Sequence, residues 1–212
     1  MNLSKEHITS TFKPVGGSLC LDFVNTVNWR GRETPEELLN GYEDLLIWAH
    51  YMKVLNEKDF KSLLHTASQS PIQAMNIYNR AIALRESIYH IFSAISHEEV
   101  PRKGDLDVLN EELSIAYNHL KLRCSEHGYN LVLVSDRAEV DQMLWFIAKS
   151  ASDLLISDKI NKVKRCVSEE CGWLFLDTSR NQSRRWCDMK TCGNRMKARR
   201  FYERINTPAN PK

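Results

Sequence analysis

Four cysteines in two C-x4-C pairs, Cys166/Cys171 and Cys187/Cys192, are the residues of this chain best suited to chemistry; fifteen residues separate the pairs. Four soft thiolates in two close pairs form the donor set of a structural Zn²⁺, which takes four ligands in a tetrahedron at about 2.3 Å per sulfur. The spacing predicts one zinc ion per chain. The competing reading is two disulfides, which requires an oxidising compartment. The polar stretch Met1 to Pro14 has no apolar core of a secretion signal, so a cytoplasmic, reducing setting is expected. Cys20 and Cys124 fall outside the set and read as small buried hydrophobes.

The zinc ligands need elements to hold them. Gly172 follows the first pair, where a knuckle must turn. Trp173-Leu174-Phe175-Leu176 has strand composition, and Asp177 to Asn181 is rich in turn formers. A hairpin is expected, its second strand near Arg184-Arg185-Trp186. After Cys192 a helix is expected, with Asn194, Ala198, Phe201 and Ile205 on one face. Arg195 and Arg199 flank that face on one side, and Lys197, Arg200 and Arg204 on the other; Pro208 marks the helix end. Knuckle, hairpin and a helix carrying the last ligand at its start make a treble-clef-like finger.

Cys192-Gly193-Asn194-Arg195, preceded by Arg184-Arg185-Trp186-Cys187 and by Cys171 to Asp177, resembles the CGNR zinc-finger family of bacteria. Gly16-Gly17-Ser18-Leu19-Cys20-Leu21-Asp22-Phe23-Val24-Asn25-Thr26 resembles the opening of that family's N-terminal ABATE domain. The two matches span most of the chain. The resemblance implies a stress-related transcriptional regulator.

The 212 residues suit one or two domains, and 42% hydrophobic with 26% charged residues describes an ordinary globular protein. No apolar run approaches the roughly 20 residues that span a bilayer. The net charge of +2 conceals an asymmetry. Residues 159–212 carry 14 Lys/Arg against 5 Asp/Glu, a net +9, whereas residues 1–158 carry 15 against 22, a net −7. A basic module on an acidic body points to a polyanionic partner. The alternative is that these cations only solvate a small, exposed module.

Residues 1–158 read as a helical ABATE-like domain and 159–212 as the finger. Leu19 to Asn25 reads as a strand, and Asn28 to Arg32 as a loop. Thr34-Pro35-Glu36-Glu37 opens a helix, with Glu37 reaching back in a capping box. Further helices are expected over Tyr42–Tyr51, after Asn56, from Pro71 to about Ser96, and from Asp105. Tyr129 to Ser135 reads as a second strand, and Asp136 to Glu139 as the capping box of a last body helix. The fold class is mainly α with a small sheet, joined to the zinc module.

No nucleophile elbow, phosphate loop, dinucleotide fingerprint or HExxH pair occurs, so no enzyme activity is expected. The seven histidines are scattered. Asp22, Asn25, Asn28 and Arg30, with Arg85 from the long helix, are candidates for a small-ligand site; the alternative is a hydrogen-bonded turn with a surface arginine. The favoured function is a DNA-binding regulator. Its finger would contact phosphates through Arg180, Arg184, Arg185, Arg195, Lys197, Arg199 and Arg200, and its body would sense a small effector or form a homodimer. RNA is the nearer alternative, with Trp173, Trp186 and Tyr202 as stacking residues. A small-molecule-binding protein or enzyme with a purely structural zinc module is the other.

Overall fold

The computed structural model describes residues 12–126 and 128–206; most of the N-terminal stretch, His7, His127 and Pro208 lie outside them. In chain order the elements are α1 (Leu19–Val24), β1 (Val27–Asn28), β2 (Glu36–Glu37), α2 (Tyr42–Tyr51), α3 (Glu57–Gln69), α4 (Pro71–Ser96) and α5 (Lys103–Tyr117). They continue with β3 (Leu120–Ser125), β4 (Gly128–Leu133), α6 (Gln142–Leu155), β5 (Val163–Arg165), β6 (Leu174–Leu176) and α7 (Asn194–Asn206). The strands pair as three antiparallel two-stranded ribbons, β1–β2, β3–β4 and β5–β6. No helix among the described residues is long and apolar enough to cross a membrane.

The short helix α1 lies at the centre. It packs on α4 and α6, and it buries Cys20, Leu21, Phe23 and Val24 together with Asp22. Along α4 the residues Ile77, Ala81, Leu84, Ile88 and Ile91 recur at helical spacing and are all buried. Leu144, Ile147, Ala148 and Ala151 of α6 meet the same core. Arg80 of α4 forks onto Glu112 of α5 at 2.9 Å through both nitrogens and reaches Asp141 at the start of α6 at 3.1 Å, tying three helices together. The core does not stop at the body: Val163 of β5 and Leu174 and Leu176 of β6 belong to it.

The helices expected at Tyr42, after Asn56 and at Pro71 form as the sequence predicts. Asn56 Oδ1 accepts the Asp59 amide at 2.9 Å, a regular N-cap. Four expectations fail. Leu19–Val24 is a helix, not a strand. Its run is buried on every side, and such a run carries no usable period. Thr34 to Glu37 opens no helix. The Glu37 carboxylate takes both terminal nitrogens of Arg85 at 2.6 Å instead of reaching back to a cap, so a tertiary ion pair overrides the local signal. Asp136 caps nothing; α6 starts at Gln142, whose Oε1 accepts the Glu139 amide at 3.1 Å. The partner of Leu174–Leu176 is Val163–Arg165, and not Arg184–Trp186.

Candidate metal centre and its docking site

Cys166, Cys171, Cys187 and Cys192 are all buried, and their sulfurs lie within 4.8 Å of one another. Cys187 Sγ is 3.6 Å from both Cys171 Sγ and Cys192 Sγ. A tetrahedron with about 2.3 Å arms has edges of about 3.8 Å, so this spacing fits Zn²⁺. It exceeds the roughly 2.05 Å of a disulfide bond, and all four cysteines are free. The donor set therefore fits one structural zinc ion, which the four thiolates would hold as a closed site. Among the described residues no other group of three or more His, Cys, Asp or Glu side chains is gathered for a metal.

Local hydrogen bonds set each ligand pair. In the first knuckle the Cys171 amide donates to Ser168 O at 2.9 Å, and Gly172 takes φ +70° to leave the turn. In the second, Asp188 accepts from the Lys190 amide and the Thr191 hydroxyl, and a wide turn over Met189–Gly193 delivers Cys192 to the start of α7. Asp177, fully buried, organises the loop between them. It accepts from Lys164 Nζ at 2.6 Å, from Ser179 Oγ at 2.5 Å and from the Arg184 amide at 2.9 Å. Burial pushes its carboxyl up, but Lys164 and Ser179 outweigh burial and hold it at about 2.

The finger sits on the body through residues that the sequence marks as a ligand site. Asn25 donates to Leu174 O at 2.8 Å and accepts the Leu174 amide at 3.0 Å, capping the edge of β6 that β5 leaves open. The loop after β1 grips the first knuckle: the Arg30 and Gly31 amides donate to Cys171 O and Glu170 O, each at 3.2 Å. A Cβ on Gly31 would lie 1.7 Å from Glu169 O, so only glycine permits this approach. Arg32 pairs with Glu170 at 2.6 Å, and Trp173 Nε1 donates to Val27 O at 2.8 Å.

The five ligand-site candidates are all engaged by protein groups. Asp22 accepts the Gly16 amide at 2.7 Å, and burial pushes its carboxyl up to about 6. Asn28 donates to Glu36 at 3.1 Å. Arg30 pairs with Glu86 at 2.7 Å, lies over the Tyr89 ring and donates to Val24 O. Arg85 is buried between Glu37, Glu86 and Thr26, not a surface arginine. Beside Asp22 and Asn25 lies a crevice of about 10 Å³, bounded by Phe12, Leu38 and Trp48.

The seven candidate nucleic-acid residues divide into two groups. Arg184 lies over the Phe175 ring and donates to the carbonyls of Val15, Leu176, Trp186 and Cys187. Arg195 covers the Trp29 ring and donates to Ser168 Oγ and Cys192 Sγ. Both face inward, toward the metal site and the body. Arg199 pairs with Glu203 at 2.9 Å. Arg180, Arg185, Lys197 and Arg200 are exposed. Lys197, Arg200 and Arg204 line one edge of α7, whose apolar row Ala198, Phe201 and Ile205 is exposed too. Of the proposed stacking residues, Trp173 is buried and Trp186 half-buried, which leaves Tyr202.

Sequence reasoning missed the pivot Asp177 and the docking glycine Gly31. An aspartate where the apolar run Trp173–Leu176 meets a turn, and a glycine between two arginines, are the signals that could have found them.

A family described as "Putative stress-induced transcription regulator", ABATE, matches residues 17–158, and the CGNR zinc finger matches residues 162–205. No curated protein matches the chain.

Proposed function

Because the chain belongs to the ABATE family and carries a CGNR zinc finger, we propose that it is a nucleic-acid-binding regulator whose outward contact surface is the exposed edge of α7. One observation carries this reading. Lys197 and Arg200 stand exposed on a helix that begins at a metal ligand, and no ion pair engages either among the described residues. A side chain on such a helix is held in place by the zinc site rather than by its own contacts. Phosphates would neutralise these cations and release counterions. Arg180 and Arg185, on the loop after Asp177, add to the same charge. The segment's +9 set against the body's −7 directs a polyanion to the finger.

In this proposal the signature residues of the body do not sense a ligand. Asn25, Arg30 and Gly31 seat the finger, and Arg85 and Glu86 hold Arg30 in position. Residues 1–158 then serve as a platform for 159–212. Both family descriptions name regulatory and zinc-finger proteins rather than enzymes. Double-stranded DNA is the proposed partner. Single-stranded RNA is the second reading, favoured by Phe201 and Tyr202, whose rings stand exposed side by side on α7. Fluorescence anisotropy with a labelled duplex and a labelled single strand tests the choice. The proposal expects salt-dependent duplex binding; binding to neither strand form at low salt would overturn it.

A further inference from the structure

The β3–β4 hairpin leaves the body as a two-stranded ribbon, and its register puts six apolar side chains on one face. Leu120 lies opposite Leu133, Leu122 opposite Leu131, and Cys124 opposite Tyr129. Opposed residues share a face, and so do residues two apart. The reverse face carries Lys121, Arg123, Ser125 and Asn130, with Val132 its one large apolar side chain. The polar pattern is therefore the one expected of a ribbon that lays one face on a core. Leu120 and Leu133, at the base of the ribbon, are half-buried, yet Leu122 is 64% exposed, Tyr129 74% and Leu131 57%, so the molecule's own core does not cover the outer part of that face. An isolated two-stranded hairpin is marginal in water, and no third strand pairs with this one among the described residues.

We infer that this face is covered by the same face of a second copy of the chain, in a two-fold homodimer. Three observations select that occupant. First, the face carries no charge, so it favours neither an acidic nor a basic partner, and nucleic acid has no cation to meet there. Second, the chain's own segments outside the described residues do not suit it: residues 1–11 offer only Met1, Leu3 and Ile8, and residues 207–212 are Thr, Pro, Ala, Asn, Pro and Lys. Third, the area agrees. These exposures leave roughly 400 Å² of apolar surface per copy, and two such faces with their rims bury on the order of 1,000 Å², the lower limit of a specific interface. A two-fold contact matches a patch to itself, which an uncharged row of leucines with one tyrosine satisfies. A contact at this lower limit belongs with weak, transient encounters, so a dissociation constant on the order of micromolar is expected.

Sedimentation velocity on the full zinc-bound chain without nucleic acid tests this, and its outcome is independent of the regulatory reading. The expected result is a monomer–dimer equilibrium between about 1 and about 100 µM. Leu122→Glu with Leu131→Glu should shift that equilibrium at least roughly 30-fold toward monomer. A wild-type chain that stays monomeric at about 100 µM overturns the inference and leaves the face to a different protein. A dimer that persists in the double variant overturns it as well. A readout on the native chain guards against a variant hairpin that merely unravels. Cys124 is exposed on this face in the monomer. Its alkylation by a maleimide should slow roughly five-fold or more as protein concentration crosses the dimerisation range. An unchanged rate contradicts the inference.

Discussion

Asn25 joins the two halves of the molecule through a single amide side chain. Its two bonds to Leu174 are buried. Asn25→Ala leaves one amide and one carbonyl orphaned, which costs about 2–4 kcal/mol. Urea denaturation reads that loss, and hydrogen exchange at the Leu174 amide should rise with it. An unchanged midpoint would contradict the docking role. Asp22 makes the opposite contribution. Burial raises its folded pKa from 3.8 to about 6, so the unfolded chain releases its proton first. The penalty is absent below about pH 4 and grows until pH passes about 6, reaching roughly 3 kcal/mol. Asp22→Asn keeps an oxygen for the Gly16 amide and removes the titration. Its stability relative to wild type should therefore rise between pH 4 and pH 7. A difference that stays flat over that range would show that Asp22 ionises normally in the fold.

The β5–β6 ribbon is the element on which the finger's independence turns. The sequence suggests a free-standing module, so loss of zinc should unfold residues 159–212 alone. The structure places Val163, Leu174 and Leu176 in the body's core. Cys187→Ser, or chelation of the metal, should then destabilise both halves. A single cooperative transition lowered by roughly 10 °C is expected in circular dichroism at 222 nm. A helical signal that melts at the wild-type temperature while the finger is open would contradict this. Much of the rest was legible. The four ligands declared themselves by spacing, and α4 by its run of Ile and Leu at helical intervals. What sequence could not reveal depended on distant partners. Glu37 forms a cap or an ion pair according to whether Arg85 is near, and Leu19–Val24 is helix or strand according to what surrounds it. Cys124, read as buried, is exposed because the face that carries it faces away from the core.

At the scale of the whole molecule, charge divides into cations that hold the finger in place and cations that face solvent. Arg184 belongs to the first kind, with four carbonyl partners and an aromatic ring. Lys197 and Arg200 belong to the second. Sequence spacing alone treats them as equals; burial separates them. The measurement that tests the account most directly is duplex affinity against salt for wild type, for Lys197→Ala with Arg200→Ala, and for Arg184→Ala. The slope of log K against log salt should flatten by about 1.8 in the double variant, at roughly 0.9 per phosphate contact. Arg184→Ala should leave the slope unchanged and lower the unfolding free energy by about 2–4 kcal/mol. A slope that is flat in wild type, or one that Arg184→Ala alters and the α7 variant does not, would contradict the account.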